Sequence, residues 1–252
     1  MTIRLELVFG FFVFSCVGWG AEQIPELSPG SEEALRKLNM PGIKLNLKER
    51  CIDVKATVCL HQGLLELVAC AKGTKEHESI LSVAARPMHI HSAMLLMGAK
   101  PGTPAMRKAQ DGARTRWVPV EPAGDPVRVS LVFHDSKGKP QEHPIGKFIS
   151  PAQPDETVGG GRKTNPDTFP ASFLFAGSHL VENGHGPKKY VCDQSGNVIS
   201  ISTFGDELLC LPGIHGHENN GLSWQVNPKG LPKIGEQVIL RLRLKPKALH
   251  KK

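Results

Sequence analysis

The sequence predicts an α+β fold dominated by strands, and three observations carry that reading. Apolar and polar residues alternate with a period of two over Ile52, Val54, Ala56, Val58 and Leu60, and again over Val238, Leu240, Leu242 and Leu244. The 26 glycines and 20 prolines interrupt the chain so often that its elements must be short. The helical stretches are brief, two or three in number. At 252 residues and 40% hydrophobic content the chain can bury one sizeable core, which suits a single β-rich domain.

The elements follow in order. Arg4 precedes the apolar run LVFGFFVFSCV, Leu7 to Val17, which ends in the small-residue stretch Gly18-Trp19-Gly20-Ala21. That length suits the h-region of a secretory signal and is too short to span a bilayer. Residues 1–20 therefore read as a signal peptide cleaved near Gly20, and the mature chain as exported, periplasmic or secreted, with no transmembrane helix. A lipoprotein cut ahead of Cys16 is the weaker alternative, because Phe14 suits that recognition sequence poorly. Residues 21–43 form a polar lead with a short helix over Ser31–Leu38, stopped by Pro41-Gly42.

The strand at residues 52–60 breaks at Gln62-Gly63, and Leu64 to Ala71 resumes the pattern, so the pair reads as a β-hairpin. In that hairpin Cys59 and Cys70 stand roughly 13 Å or more apart, too far for a disulfide. Glu78 to Ala84 reads as a strand and Pro87 to Gly98 as a helix, with Pro87 at its first turn and Gly98 at its stop. Val127 to Phe133 alternates and turns at Asp135–Gly138 into a partner strand. Residues 149–169, rich in Pro, Gly and charge, read as a loop joining two halves. Strands return at Ser172–Gly177, Lys188–Cys192 and Val198–Thr203, with turns at Asn183-Gly184 and Asp193–Gly196. Val238 to Leu244 closes the domain, and residues 247–252 form a basic tail.

Charge and cysteine content exclude several classes. The net charge of +7 is spread widely, without the basic stripe and interleaved aromatics of a nucleic-acid binder. Five cysteines follow the signal: Cys51, Cys59, Cys70, Cys192 and Cys210. Without any CxxC pair, iron–sulfur, zinc-ribbon and thioredoxin-like chemistry is excluded. No phosphate loop, dinucleotide fingerprint or nucleophile elbow is present, so neither nucleotide binding nor a hydrolase triad is legible.

The chemically pointed stretch is KEHESILSVAARPMHIHSAMLLMGAKPGTP, Lys75 to Pro104. Glu76 and Glu78 flank His77 at strand spacing, which puts the two carboxylates on one face and the imidazole on the other. His89 and His91 lie about 200° apart around a helix and cannot grip one ion together. Met88, His91, Met94 and Met97 follow at i+3 spacing, a stripe that reads as core packing before it reads as a copper(I) site. Arg86 with the free N–H groups of the helix start makes a corner suited to anions. His215 and His217, in a polar loop, share a face if the chain is extended there. The candidate ligand-binding residues are thus Glu76, His77, Glu78, Arg86 and His91. The metal candidates, for zinc or copper, are His77 and His91, with His215 and His217 behind them.

As a set, VCLHQGLLELVACAKGTKEHES, PMHIHSAMLLMGAKPGTP, FLFAGS, YVCDQSGNVISISTFGDELLCLP and PKIGEQVILRLRLKP resemble the YdjY-domain family in the same order. The resemblance spans residues 44–246 and implies one domain of an exported bacterial protein. His77 with its glutamates, His91, Cys59 and Cys70 fall on the family's pattern, whereas His89, His215 and His217 do not. The family brings no established activity. Two functional readings stand: a non-catalytic module binding a small ligand or a protein partner in the cell envelope, or a metal-binding enzyme or redox accessory using the KEHES and HIH segments. Convergence of those side chains around a pocket separates the two.

Overall fold

A computed structural model describes residues 39–110, 116–152, 168–216 and 222–244. The expected signal peptide at residues 1–20, the helix expected at Ser31–Leu38, His217 and the expected basic tail lie outside the described residues. In chain order the strands are β1 (Ile43–Asn46), β2 (Cys51–Val58), β3 (Leu67–Ala71), β4 (Ser79–Val83), β5 (Pro101–Thr103), β6 (Met106–Gln110), β7 (Arg116–Val120), β8 (Ala123–Gly124) and β9 (Pro126–His134). They continue as β10 (Pro140–Pro144), β11 (Ile149–Pro151), β12 (Phe173–Leu174), β13 (Leu180–Asn183), β14 (Gly186–Tyr190), β15 (Asn197–Ser200), β16 (Leu209–Cys210), β17 (Trp224–Val226) and β18 (Gln237–Leu244). Among the described residues two α-helices accompany them, α1 (Pro87–Leu96) and α2 (Cys192–Ser195).

Eight strands close into a barrel in the order β2-β18-β9-β12-β16-β15-β3-β4, and the pairing of β4 with β2 completes the circuit. A barrel of eight strands has an interior just wide enough for side chains to fill. Here Val54, Leu240 and Leu131 share one row and Ile52, Leu242 and Val129 the next, all but fully buried. Each such side chain contributes about 1.5–3 kcal/mol on burial, which is why the alternation in β2, β9 and β18 is so clean. Closure also removes the unpaired edges that an open sheet would expose.

The alternate residues face outward and carry an ionic ladder across three strands. Arg241 holds Asp53 through Nε and Nη2 at 2.7 and 2.8 Å, and its Nη1 reaches Glu142 at 2.9 Å. Arg243 donates to the same Glu142 carboxylate at 2.8 Å. A bidentate guanidinium–carboxylate pair fixes strand register as well as charge.

Several expectations hold. The Asp135–Gly138 turn joins β9 to β10, the Asn183-Gly184 turn joins β13 to β14, and β18 ends the described chain. Three details differ. The segments at 51–58 and 67–71 do not form a hairpin, because β4 lies between them, antiparallel to β2 and parallel to β3. The chain after Gly63 instead runs toward β17, with Leu65 N–H donating to Trp224 O at 2.9 Å. Alternation shows that both segments are strands but not which strand each one joins. Glu76–Glu78 forms a 3-10 turn ahead of β4, so the period-two arrangement of the two glutamates does not occur. Residues 149–151, read as loop, form β11 and pair with β17.

Candidate anion-binding cleft

Helix α1 begins at Pro87, whose missing N–H costs nothing at that position. The next donor is satisfied from outside the helix. Asp193, in the first turn of α2, accepts Met88 N–H at 2.8 Å through Oδ1, and its Oδ2 accepts from Arg86 Nη2 at 2.6 Å and Nε at 3.2 Å. The corner at Arg86 and the helix start is occupied on one side by the protein's own carboxylate, Asp193. Around it β14 brings Lys188, Lys189 and Tyr190, and the space between encloses about 410 Å³. Arg86, Met88, Asn183, Lys189 and Gln194 complete the working part of the wall. Lys188 reaches Glu182 at 2.7 Å, but both side chains are largely exposed and the pair is weak. Lys189 has no ion-pair partner among the described residues.

Beneath the cleft sits a buried polar relay. Tyr190 donates its hydroxyl to Gly177 O at 2.9 Å, and His91 Nδ1 lies 2.9 Å from the same hydroxyl. A phenol has one proton, and a carbonyl can only accept. His91 therefore carries its hydrogen on Nδ1 and donates it to Tyr190, leaving Nε2 as a lone pair. The ring sits edge-on to Phe175 and Tyr190, with centroids 4.9 and 5.5 Å away. Burial lowers the His91 pKa against a smaller opposing pull from the Gly177 carbonyl, and burial likewise holds Tyr190 protonated far above its usual range.

Because the folded pKa of His91 lies below its unfolded value of about 6.5, the unfolded chain binds the extra proton first. His91 thus contributes stability above about pH 6.5 that is lost as pH falls toward its folded value. His143, lowered by burial and then by Lys147, acts in the same direction. Urea unfolding across this range should show stability falling on the acid side, with the fall flattened by His91→Gln and further by His143→Gln. An unchanged slope in both variants would contradict this assignment.

The remaining sequence candidates disperse. His77 is exposed on the 3-10 turn, with Glu78 3.6 Å away and 77% of its side-chain surface open. Glu78 also meets Lys75 Nζ at 3.6 Å, and Glu76 turns back to accept Gly73 N–H. None of these reaches the cleft walls. His215 binds locally, Nε2 to Pro212 O at 2.8 Å. Met94 is fully buried and Met97 nearly so, both within the core. Among the described residues no group of three or more His, Cys, Asp or Glu side chains gathers as for a metal ion, and no helix is long and apolar enough to cross a membrane.

Sequence reasoning reached Arg86 and His91 but missed Lys188, Lys189, Tyr190 and Asp193. One signal pointed there. The chain's single tyrosine ends an otherwise polar strand, GPKKY, and a buried phenol needs a partner. The sequence reading kept Cys59 and Cys70 from pairing in a disulfide, and neither is bonded to the other. Cys59 Sγ donates to Ser79 O at 3.1 Å. All five described cysteines are free.

Comparison with curated proteins and with solved structures gave no match. The family model described as the YdjY domain matches residues 43–243, a span that runs from the first strand to the last and takes in the barrel, both helices and the cleft. On that match the chain belongs to the YdjY-domain family.

Proposed function

We propose that the chain is an exported, non-catalytic binding module whose cleft between α1, α2 and β14 holds a small anionic ligand. One observation carries this reading: Arg86, Lys188 and Lys189 border a single cavity whose lining includes one carboxylate, Asp193, already bound to Arg86 and to the start of α1. Cations in excess of fixed anions in a concave site favour a ligand that brings the missing negative charge. The buried His91–Tyr190 relay supports the cleft floor and points no acid or base at it. The export signal read at residues 1–20 places this activity in the cell envelope, where a ligand or a partner protein is met.

Titration calorimetry with inorganic phosphate and with succinate tests the reading. Saturable binding is expected for the parent, weakened at least tenfold in Lys188→Glu/Lys189→Glu, with the melting temperature unchanged because both side chains project from the surface. Binding that is absent for both probes, or identical in the double variant, would remove the cleft from consideration.

A further inference from the structure

Between β5 and β8 the chain forms an arm. Its root is held: Gly102 N–H donates to Phe175 O at 2.9 Å, and Pro104, Ala105 and Pro122 are buried. Beyond that root β6 and β7 pair only with each other, antiparallel from Met106 opposite Val120 to Gln110 opposite Arg116. A hairpin of two strands is marginal in water and gains from a further surface to pack on. None of the described side chains of β6 and β7 is buried.

The arm presents two kinds of residue at once. Arg107, Lys108 and Arg116 are exposed, and neither strand contains an Asp or Glu. Residues 111–115, between the strands in sequence, add one Asp and one Arg and leave that balance unchanged. Lys108 and Arg116 lie on one face of the ribbon and Arg107 on the other, so both faces are basic. Among them stand large apolar side chains that folding leaves in water. Trp117 is 60% exposed and Met106 47%, whereas Trp224 in the core is 3% exposed. Trp117 is opposite Ala109, three residue pairs out from Met106, or roughly 10 Å by strand rise.

We propose that the β6–β7 arm docks on the surface of an anionic phospholipid bilayer, with Arg107, Lys108 and Arg116 against the phosphate headgroups and Trp117 at the boundary between headgroups and acyl chains. The combination of chemistries selects this partner. An indole is amphipathic and settles at headgroup depth. Cations beside it meet the negative potential of such a leaflet, and each strengthens binding roughly fivefold close to the surface. A single-stranded nucleic acid would engage the cations too, but it stacks on a succession of aromatic rings, and these strands supply one. Interfacial segments lie about 5–10 Å deep, a distance the arm spans without the barrel entering the lipid. None of these residues lines the cleft at Arg86, so the two sites are tested separately.

The test is cosedimentation of the full-length chain with vesicles of equal parts phosphatidylcholine and phosphatidylglycerol. The parent is expected to bind them at low salt and to lose affinity as salt rises. Arg107→Gln/Lys108→Gln/Arg116→Gln should weaken binding about 100-fold at an unchanged melting temperature, because all three side chains are exposed. Lys137→Gln/Lys139→Gln, exposed cations between β9 and β10, should leave it within about threefold. Tryptophan emission of the parent should shift to the blue on binding, and Trp117→Phe should still sediment but lose the shift. A parent that leaves the anionic vesicles unbound, or that binds them no better than the triple arm variant, would overturn the proposal. So would an equal loss in the Lys137 and Lys139 variant, which assigns the binding to net charge alone, or an undiminished emission shift in Trp117→Phe. A single-stranded oligonucleotide that displaces the vesicles at lower concentration would assign the arm to nucleic acid and overturn the lipid reading.

Discussion

Gly124→Ala is expected to destabilise the protein by roughly 3 kcal/mol or more, a large effect for one methyl group. A Cβ at this position falls 2.1 Å from the Phe175 carbonyl oxygen, a backbone atom that no rotamer change can move. The residue also sits at φ +149°, where side chains are rarely accommodated. The carbonyl it would strike accepts Gly102 N–H at 2.9 Å, and Phe175 N–H donates to Asp125 O at 2.9 Å. Relief of the clash therefore breaks the seam that joins β5 and β8 to the β12 end. That seam sets Phe175 edge-on to His91, so the damage should spread to the relay under the cleft. The expected fall in Tm is roughly 6–12 °C, read alongside the His91 ring resonances. A fall under about 2 °C with unmoved resonances would mean that this corner is slack.

The same corner shows where sequence reading stops. Alternation located β2, β9 and β18 because each buries one face in the barrel, and burial leaves a period of two in the residue types. It could not order the barrel. Val58 and Ala69 both pair with Leu81, on opposite edges of β4, and nothing in Val58 or Ala69 records which edge each prefers. β3, β4 and β15 are buried on both faces and read only as apolar runs. Local elements with fixed chemistry were legible: the Pro87 start of α1, the Asp135 and Asn183-Gly184 turns, and the Arg86 corner.

The site was half legible for a related reason. Arg86 and His91 announce themselves within one helix. Their partners Asp193 and Tyr190 lie about a hundred residues on, in a stretch that reads as an ordinary turn. The hairpin argument kept Cys59 and Cys70 apart, and although β4 lies between their strands the two are not bonded. The insertion of β4 replaces the expected hairpin ladder with two strand spacings between them. Long-range pairing of this kind leaves no periodic trace, whereas a conflict of chemistry does. A lone buried tyrosine is a trace of that second sort.

Glu207 is such a conflict, and Glu207→Ala should cost about 2–5 kcal/mol, from two stranded donors and a lost side chain. The side chain is fully buried. Its Oε1 accepts the N–H groups of Phe204 and, at 2.9 Å, of Gly205, which fixes the turn that leads into β16. Its Oε2 and the Oδ1 of Asn197 are both buried acceptors without a partner. The β15–β16 register, Ile199 beside Leu209, brings Asn197 alongside Glu207, and Leu208 N–H donates to Asn197 O at 3.1 Å. Each of these two acceptors lacks a proton that a carboxylate and an amide oxygen cannot supply. Glu207→Gln replaces one of them with a donor of the same shape while Oε1 keeps both backbone hydrogen bonds. The Gln variant should therefore be at least as stable as the parent, the opposite of the usual result for altering a buried charged residue. Chemical denaturation of the two variants separates the causes. Loss in Ala with none in Gln assigns the role to the hydrogen bonds that hold the turn. Equal loss in both would mean that the negative charge itself is required, and would point to a buried cation-binding role for this carboxylate.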